Sequence, residues 1–134
     1  MSKEKIRALM VEPTENPKIC YLEPTMKSFK KAVSTEGIDD CEIEAKRIRK
    51  QVYAIFNKDR FLANLPPNRR IGDDIIAGTF YIVAINDKRV PISLTNDQII
   101  TYALRFWNTE KIDDMDMIEA NMNTYFSGFW EKYG

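Results

Sequence analysis

The sequence predicts an α+β domain: a mostly antiparallel five-stranded sheet, a short helix after the first hairpin, and two C-terminal helices. Three observations carry this. Two hairpins are written in the first half: two short apolar runs split by a cluster of turn formers, and an alternating strand joined by a polar link to a run of strand formers. One stretch, 75–85, is eleven residues long with almost no polar atoms. Beyond it the apolar spacing changes from strand-like to helical. The 134 residues suit a single domain, with 1–107 as its core and 108–134 as a helical extension.

The first hairpin joins 6–11, Ile-Arg-Ala-Leu-Met-Val, to 18–23 across the turn cluster Pro-Thr-Glu-Asn-Pro. Thr25 then caps a short helix with Met26, Phe29, Ala32 and Val33 on one face, and Gly37 ends it. Residues 41–48 alternate, with Cys41, Ile43 and Ala45 set against Glu42, Glu44 and Lys46, so they form a strand with one wet face. Residues 52–56, Val-Tyr-Ala-Ile-Phe, return beside it. An irregular stretch, 57–74, follows, rich in Asn, Pro and Gly. Residues 75–85 then read as one central strand covered on both faces, in which Gly78 marks a bulge or a close backbone approach.

The sharpest local signal is Leu94-Thr95-Asn96-Asp97-Gln98-Ile99. Thr95 and Gln98 can satisfy each other's amides in a capping box, and Leu94 and Ile99 can close over the turn. A helix runs from here to about Trp107, with apolar faces at Ile99, Ala103 and Phe106 and at Ile100, Leu104 and Trp107. A last helix spans about 113–132, where Met115, Ile118, Met122, Phe126 and Phe129 recur at helical spacing. Asp113, Asp114 and Asp116 suit the positive end of its dipole.

Composition narrows the chemistry. Twenty basic residues balance twenty acidic ones, which disfavours a nucleic-acid binder held by phosphate contacts. The basic run Lys46-Arg47-Ile48-Arg49-Lys50 reads as the solvated end of a hairpin. Cys20 and Cys41 lie in strand-like segments without Cys-x-x-Cys spacing and read as reduced core thiols of a cytoplasmic protein. No apolar stretch is long enough to span a bilayer.

The chain has no histidine. That removes Ser-His and Cys-His nucleophiles and the commonest general base. Neither a zinc site nor a Gly-rich nucleotide loop can be written. No catalytic residue, metal or cofactor is expected. Asp59, Asp73, Asp74 and Asp87 leave carboxylate catalysis as a residual option, although Asp73-Asp74 after Gly72 is also a turn signal. The candidate ligand site is Asn68, Arg69 and Arg70, completed by Asp74 and Thr79. Arginine forks match phosphates and carboxylates, so a nucleotide-like anion would suit them. Read structurally, Arg69 instead pairs with Asp73 or Asp74, and Asn68 bonds backbone. The C-terminal helix has more apolar surface than one stripe requires, so Met122, Phe126, Phe129 and Trp130 are candidates for a partner or homodimer contact.

From Ile6 to about Trp107 the chain resembles a family of small phage- and plasmid-borne proteins, domain of unknown function 3846. The likeness rests on Val11-Glu12-Pro13, Asn64-Leu65-Pro66-Pro67-Asn68-Arg69, the run from Asp74 to Val83, and Ser93 to Ile99. It implies an accessory protein of a bacteriophage or mobile element whose activity is not settled. Genes of that kind often encode inhibitors of host defence. The resemblance therefore points to a non-enzymatic protein that binds a host component. The alternative is a sponge for a nucleotide-derived signal.

Overall fold

The computed structural model describes residues 4–34, 41–59 and 65–122. Its main sheet is antiparallel throughout. It contains β1 (Ile6–Val11), β2 (Lys18–Leu22), β3 (Ile43–Arg49), β4 (Val52–Asn57) and, later in the chain, β7 (Phe80–Ile85), in the order β2-β1-β7-β4-β3. A two-residue strand, β8 (Pro91–Ile92), pairs with the end of β7. The expected mostly antiparallel sheet, with a short helix after the first hairpin, is therefore present.

The strand β7 is central because it can be buried on both sides. Phe80, Ile82 and Ala84 enter one core cluster, and Tyr81 and Val83 enter the other. Alternate residues of a strand face opposite ways, so a run apolar at every position needs cover above and below. The cover on one face is α1 (Met26–Val33), whose Phe29 and Val33 are buried. On the other face lies α2 (Asn96–Arg105) with Tyr102 and Phe106, the latter edge-on to Phe80 at 5.3 Å between ring centroids. Such aromatic pairs add about 1 kcal/mol beyond their buried area.

The caps form as their residues dictate. The Thr25 side chain accepts from the Ser28 amide. The Thr95–Gln98 box closes in both directions, with Leu94 and Ile99 in the core beneath it. The helix α1 stops at Val33, capped by Ser34, and not at Gly37, which lies outside the described residues. Nor is β3 wet on one whole face. Ile43 packs on the α1 side and Ile48, at a bulge, on the α2 side.

Two expectations are corrected by the structure. The stretch 75–85 is not one strand, and the segment before it is not wholly irregular. Residues Pro67–Ile71 form β5, which pairs with β6 (Asp74–Ala77) as a separate two-stranded ribbon. Its two-residue turn begins at Gly72, at φ 62°. A Gly-Asp turn of this kind is itself a hairpin signal. The ribbon contributes Ile71 and Ile76 to the α2-side core.

The chain breaks from β6 into β7 at Gly78, whose φ is 79°. An added Cβ there would lie 2.7 Å from Leu65 Cδ1. Glycine is therefore required by backbone conformation first and by the leucine second. Gly78→Ala should lower the unfolding free energy by about 1 to 2 kcal/mol, read as a lower urea midpoint at unchanged slope. An unshifted midpoint would contradict this account of the break.

Candidate functional site

The Asn-Arg-Arg segment lies in β5. A register shift between Pro67 and Arg69 lets two consecutive side chains, Asn68 and Arg69, turn inward. Each is only 1% exposed. The Asn68 amide donates to the Val11 carbonyl at 2.8 Å and to the Gly78 carbonyl at 2.9 Å. Its oxygen accepts from Arg69 Nη1 at 2.6 Å.

Arg69 is fully committed. Its Nε and Nη2 both donate to the Phe106 carbonyl, at 3.2 and 2.9 Å. Nη2 also reaches the Glu15 carbonyl at 2.7 Å, and Nη1 the Glu12 carbonyl at 3.4 Å. With the Asn68 bond, each of the five guanidinium N–H groups has an acceptor. Phe106 is the C-cap of α2, the negative end of the helix dipole, where a cation is favoured. Burial pushes the Arg69 pKa down, and the charge of Glu110 opposes that shift.

Asn68 thus bonds backbone, and Arg69 does so as well. Arg69 bonds carbonyls, and neither Asp73 nor Asp74 is its partner. The two residues do not converge with Arg70, Asp74 and Thr79 on one pocket. Arg70 points outward: its amide meets Glu110 at 3.1 Å and its Nη2 meets Asp116 at 3.1 Å. Asp74 pairs with Lys46, which takes the first residue of the basic run back to the ribbon. Asp87 accepts from the Gln51 amide. Thr79 lines a cleft of about 280 Å³ with Met10, Glu12, Leu65, Gly78 and Tyr81 among others, and among the described residues no lysine or arginine lines it.

In that cleft, burial pushes the Tyr81 hydroxyl up to about 12, helped by the charges of Cys20 and Glu12, and it donates to the Ala32 carbonyl. Burial likewise raises the Cys20 thiol to about 11. Neither Cys20 nor Cys41 is in a disulfide, and the Cys41 thiol donates to the Lys30 carbonyl at 3.4 Å. A second cleft, of about 410 Å³, is lined by Arg70, Asp73, Ile75, Asp116, Glu119 and Ala120. Among the described residues no group of three or more carboxylate or thiol side chains is gathered to hold a metal. None of the described helices is long and apolar enough to cross a membrane.

The C-terminal helix is described over 114–122. Asp113 Oδ1 accepts from the Asp116 amide, and Asp116 Oδ2 lies 3.3 Å from the Asp113 amide, a reciprocal cap built from two aspartates. Arg70 grips the same Asp116, so the helix is moored to β5 through its first turn. Met115, Ile118 and Met122 are left 70%, 53% and 48% exposed. The other proposed interface residues, Phe126, Phe129 and Trp130, lie outside the described residues.

A family model described as Domain of unknown function (DUF3846) matches residues 6–106. The chain belongs to this family. The matched region closes at Phe106, the carbonyl gripped by Arg69, so the family core is the unit that the arginine ties together. No curated protein and no solved structure matches the chain.

What the sequence did not reveal was the bulge that buries Asn68 and Arg69. Its one legible trace is the Gly72-Asp73 turn, which requires strands on either side.

Two expected outcomes follow from this geometry. Arg69→Lys keeps the charge but presents three donors from a single point, too few and too close together to reach four acceptors. It should cost about 3 kcal/mol or more in urea unfolding. Wild-type stability in this variant would show that the fork is dispensable. The second concerns Asp116, whose pKa is lowered by the Asp113 backbone bond and then by Arg70. A carboxylate with a depressed pKa stabilises the fold above its unfolded value, and that contribution disappears as pH falls through the folded value. In Arg70→Gln the Asp116 midpoint, followed by carboxyl NMR, should move up toward the ordinary carboxylate range. An unmoved midpoint would remove Arg70 from the mooring.

Proposed function

We propose that this protein is a non-enzymatic accessory factor of a phage or mobile element that docks on a host protein, in the first place a defence component, and inhibits or modulates it. The observation that carries this reading is the apolar stripe Met115, Ile118 and Met122. It stands out on a helix that is moored at its first turn and lies beyond the family core. Apolar residues at these spacings, on an element fixed at one end, suit a helix laid into a partner's hydrophobic groove. Methionine adapts readily to such a groove. The family resemblance supplies the phage or plasmid setting and the idea of a host target.

The chemistry left to the chain agrees with binding. It has no histidine, and two of the carboxylates considered for catalysis are engaged, Asp74 with Lys46 and Asp87 with Gln51. The sponge reading draws little support, because the donors of Asn68 and Arg69 are spent on backbone carbonyls.

The test compares tagged wild type with Met115→Asp/Ile118→Asp. Wild type should enrich a specific protein from bacterial host lysate. The variant should bind that protein, once purified, at least about tenfold more weakly at unchanged melting temperature. Equal binding by the two proteins, or no specific capture by wild type, would sink the proposal.

A further inference from the structure

The strand β2 ends the sheet, and its outer edge is apolar on one face. Ile19 and Tyr21 are 51% and 60% exposed. They stand opposite Leu9 and Arg7 of β1, so their side chains share the α2 face of the sheet.

The direction of their backbone groups follows from β1. The Arg7 carbonyl accepts from the Leu94 amide and the Arg7 amide donates to Ser93 Oγ, so the polar groups of Arg7 point away from β2. Those of Ile6, Ala8 and Met10 therefore point toward β2, where their partners are Leu22, Cys20 and Lys18. The N–H and C=O groups of Ile19 and Tyr21 are the ones left facing the open edge. Among the described residues, apolar side chains and unpaired ladder groups thus come from the same two residues.

The neighbouring helix extends this surface. It begins beside Arg7, and just past its C-cap the Trp107 carbonyl accepts from the Asn16 side-chain amide in the β1–β2 turn. It therefore runs parallel to β1, with Tyr102 and Phe106 turned into the core. On a right-handed helix of that course, Ile100, Leu104 and Trp107 fall on the flank toward β2. They are 58%, 69% and 49% exposed.

We propose that two copies of this chain pair β2 to β2, antiparallel about a two-fold axis at Cys20, to form one continuous sheet. In this register Ile19 lies opposite the partner's Tyr21, and the two pairs form four hydrogen bonds from the two open-edge N–H and two open-edge C=O groups of each copy. Each is a β-branched–aromatic pair, a favourable cross-strand combination. The α2 stripes of both copies close over the junction, adding the apolar area that a short strand pair lacks.

A second copy fits this edge for three reasons. The pairing is self-complementary, as a two-fold interface must be. It places Lys18 opposite the partner's Leu22, so no two like charges stand directly opposite across the strand pair, and a chain of net charge zero adds no general repulsion. Pro17 and Pro24 bracket the strand, and this register keeps both outside the five paired positions. The interface uses none of the residues of the Met115–Met122 stripe.

Sedimentation equilibrium of the full chain across micromolar to hundred-micromolar concentrations tests the proposal. Wild type should be a dimer, and Ile19→Lys/Tyr21→Lys should weaken its dimerisation about a hundredfold while keeping the wild-type circular dichroism and melting curve. Hydrogen exchange gives the register: the Ile19 and Tyr21 amides should be slowed in the dimer and fast in the variant, with Cys20 slow in both. A wild type that stays monomeric throughout would overturn the proposal. So would a dimer that survives the Ile19/Tyr21 variant or is dissolved by Met115→Asp/Ile118→Asp.

Discussion

Arg69 stands where three separated parts of the chain meet: the end of β1 with the turn after it, the C-cap of α2, and the β5–β6 ribbon. Its guanidinium donates to the Glu12, Glu15 and Phe106 carbonyls, and Asn68 completes the set through Val11 and Gly78. A charge taken out of water is costly unless its hydrogen bonds are replaced. Here all five are replaced by protein acceptors, one of them at the negative end of a helix. The arrangement is stringent in both directions. Removing the arginine strands several buried carbonyls, and displacing any one of the three segments strands the arginine.

The rest of the architecture is compatible with that clamp. The strand β7 holds the two cores together because it is apolar on both faces, and Gly78 lets the chain leave the ribbon and enter the sheet within two residues. The ribbon then covers part of the α2 side, bringing Ile71 and Ile76 against the same core as Phe80 and Phe106. A residue pattern that suggested an anion site is in this way consumed by internal structure. The polar groups that remain outward, Arg70 with Glu110 and Asp116, attach the C-terminal helix.

This division bears on function. The family core is tied internally, and its most polar buried cluster has no donor to spare for a ligand. Among the described residues, most of the exposed large apolar side chains lie instead at two places, the helix after the core and the edge formed by β2 with α2. Both are suited to other protein surfaces. One offers a helix face, and the other offers strand backbone flanked by side chains.

The sequence by itself determined the elements whose signals are local. The first hairpin follows from a turn cluster between apolar runs, the second from an alternating strand followed by strand formers, α1 from its Thr25 cap, and α2 from the Thr95–Gln98 box, where every partner lies within a few residues. It also placed a special demand at Gly78. Only the tertiary structure decided that Gly78 divides two strands, that Asn68 and Arg69 turn inward together, and which apolar stripe of α2 is covered. The reason is the separation of the partners. The Arg69 acceptors Glu15 and Phe106 are 54 and 37 residues away, and the Asn68 acceptor Val11 is 57. An arginine fork bonds a phosphate and a set of carbonyls by the same geometry, so residue type cannot distinguish them. The choice is made when the chain closes and water is excluded.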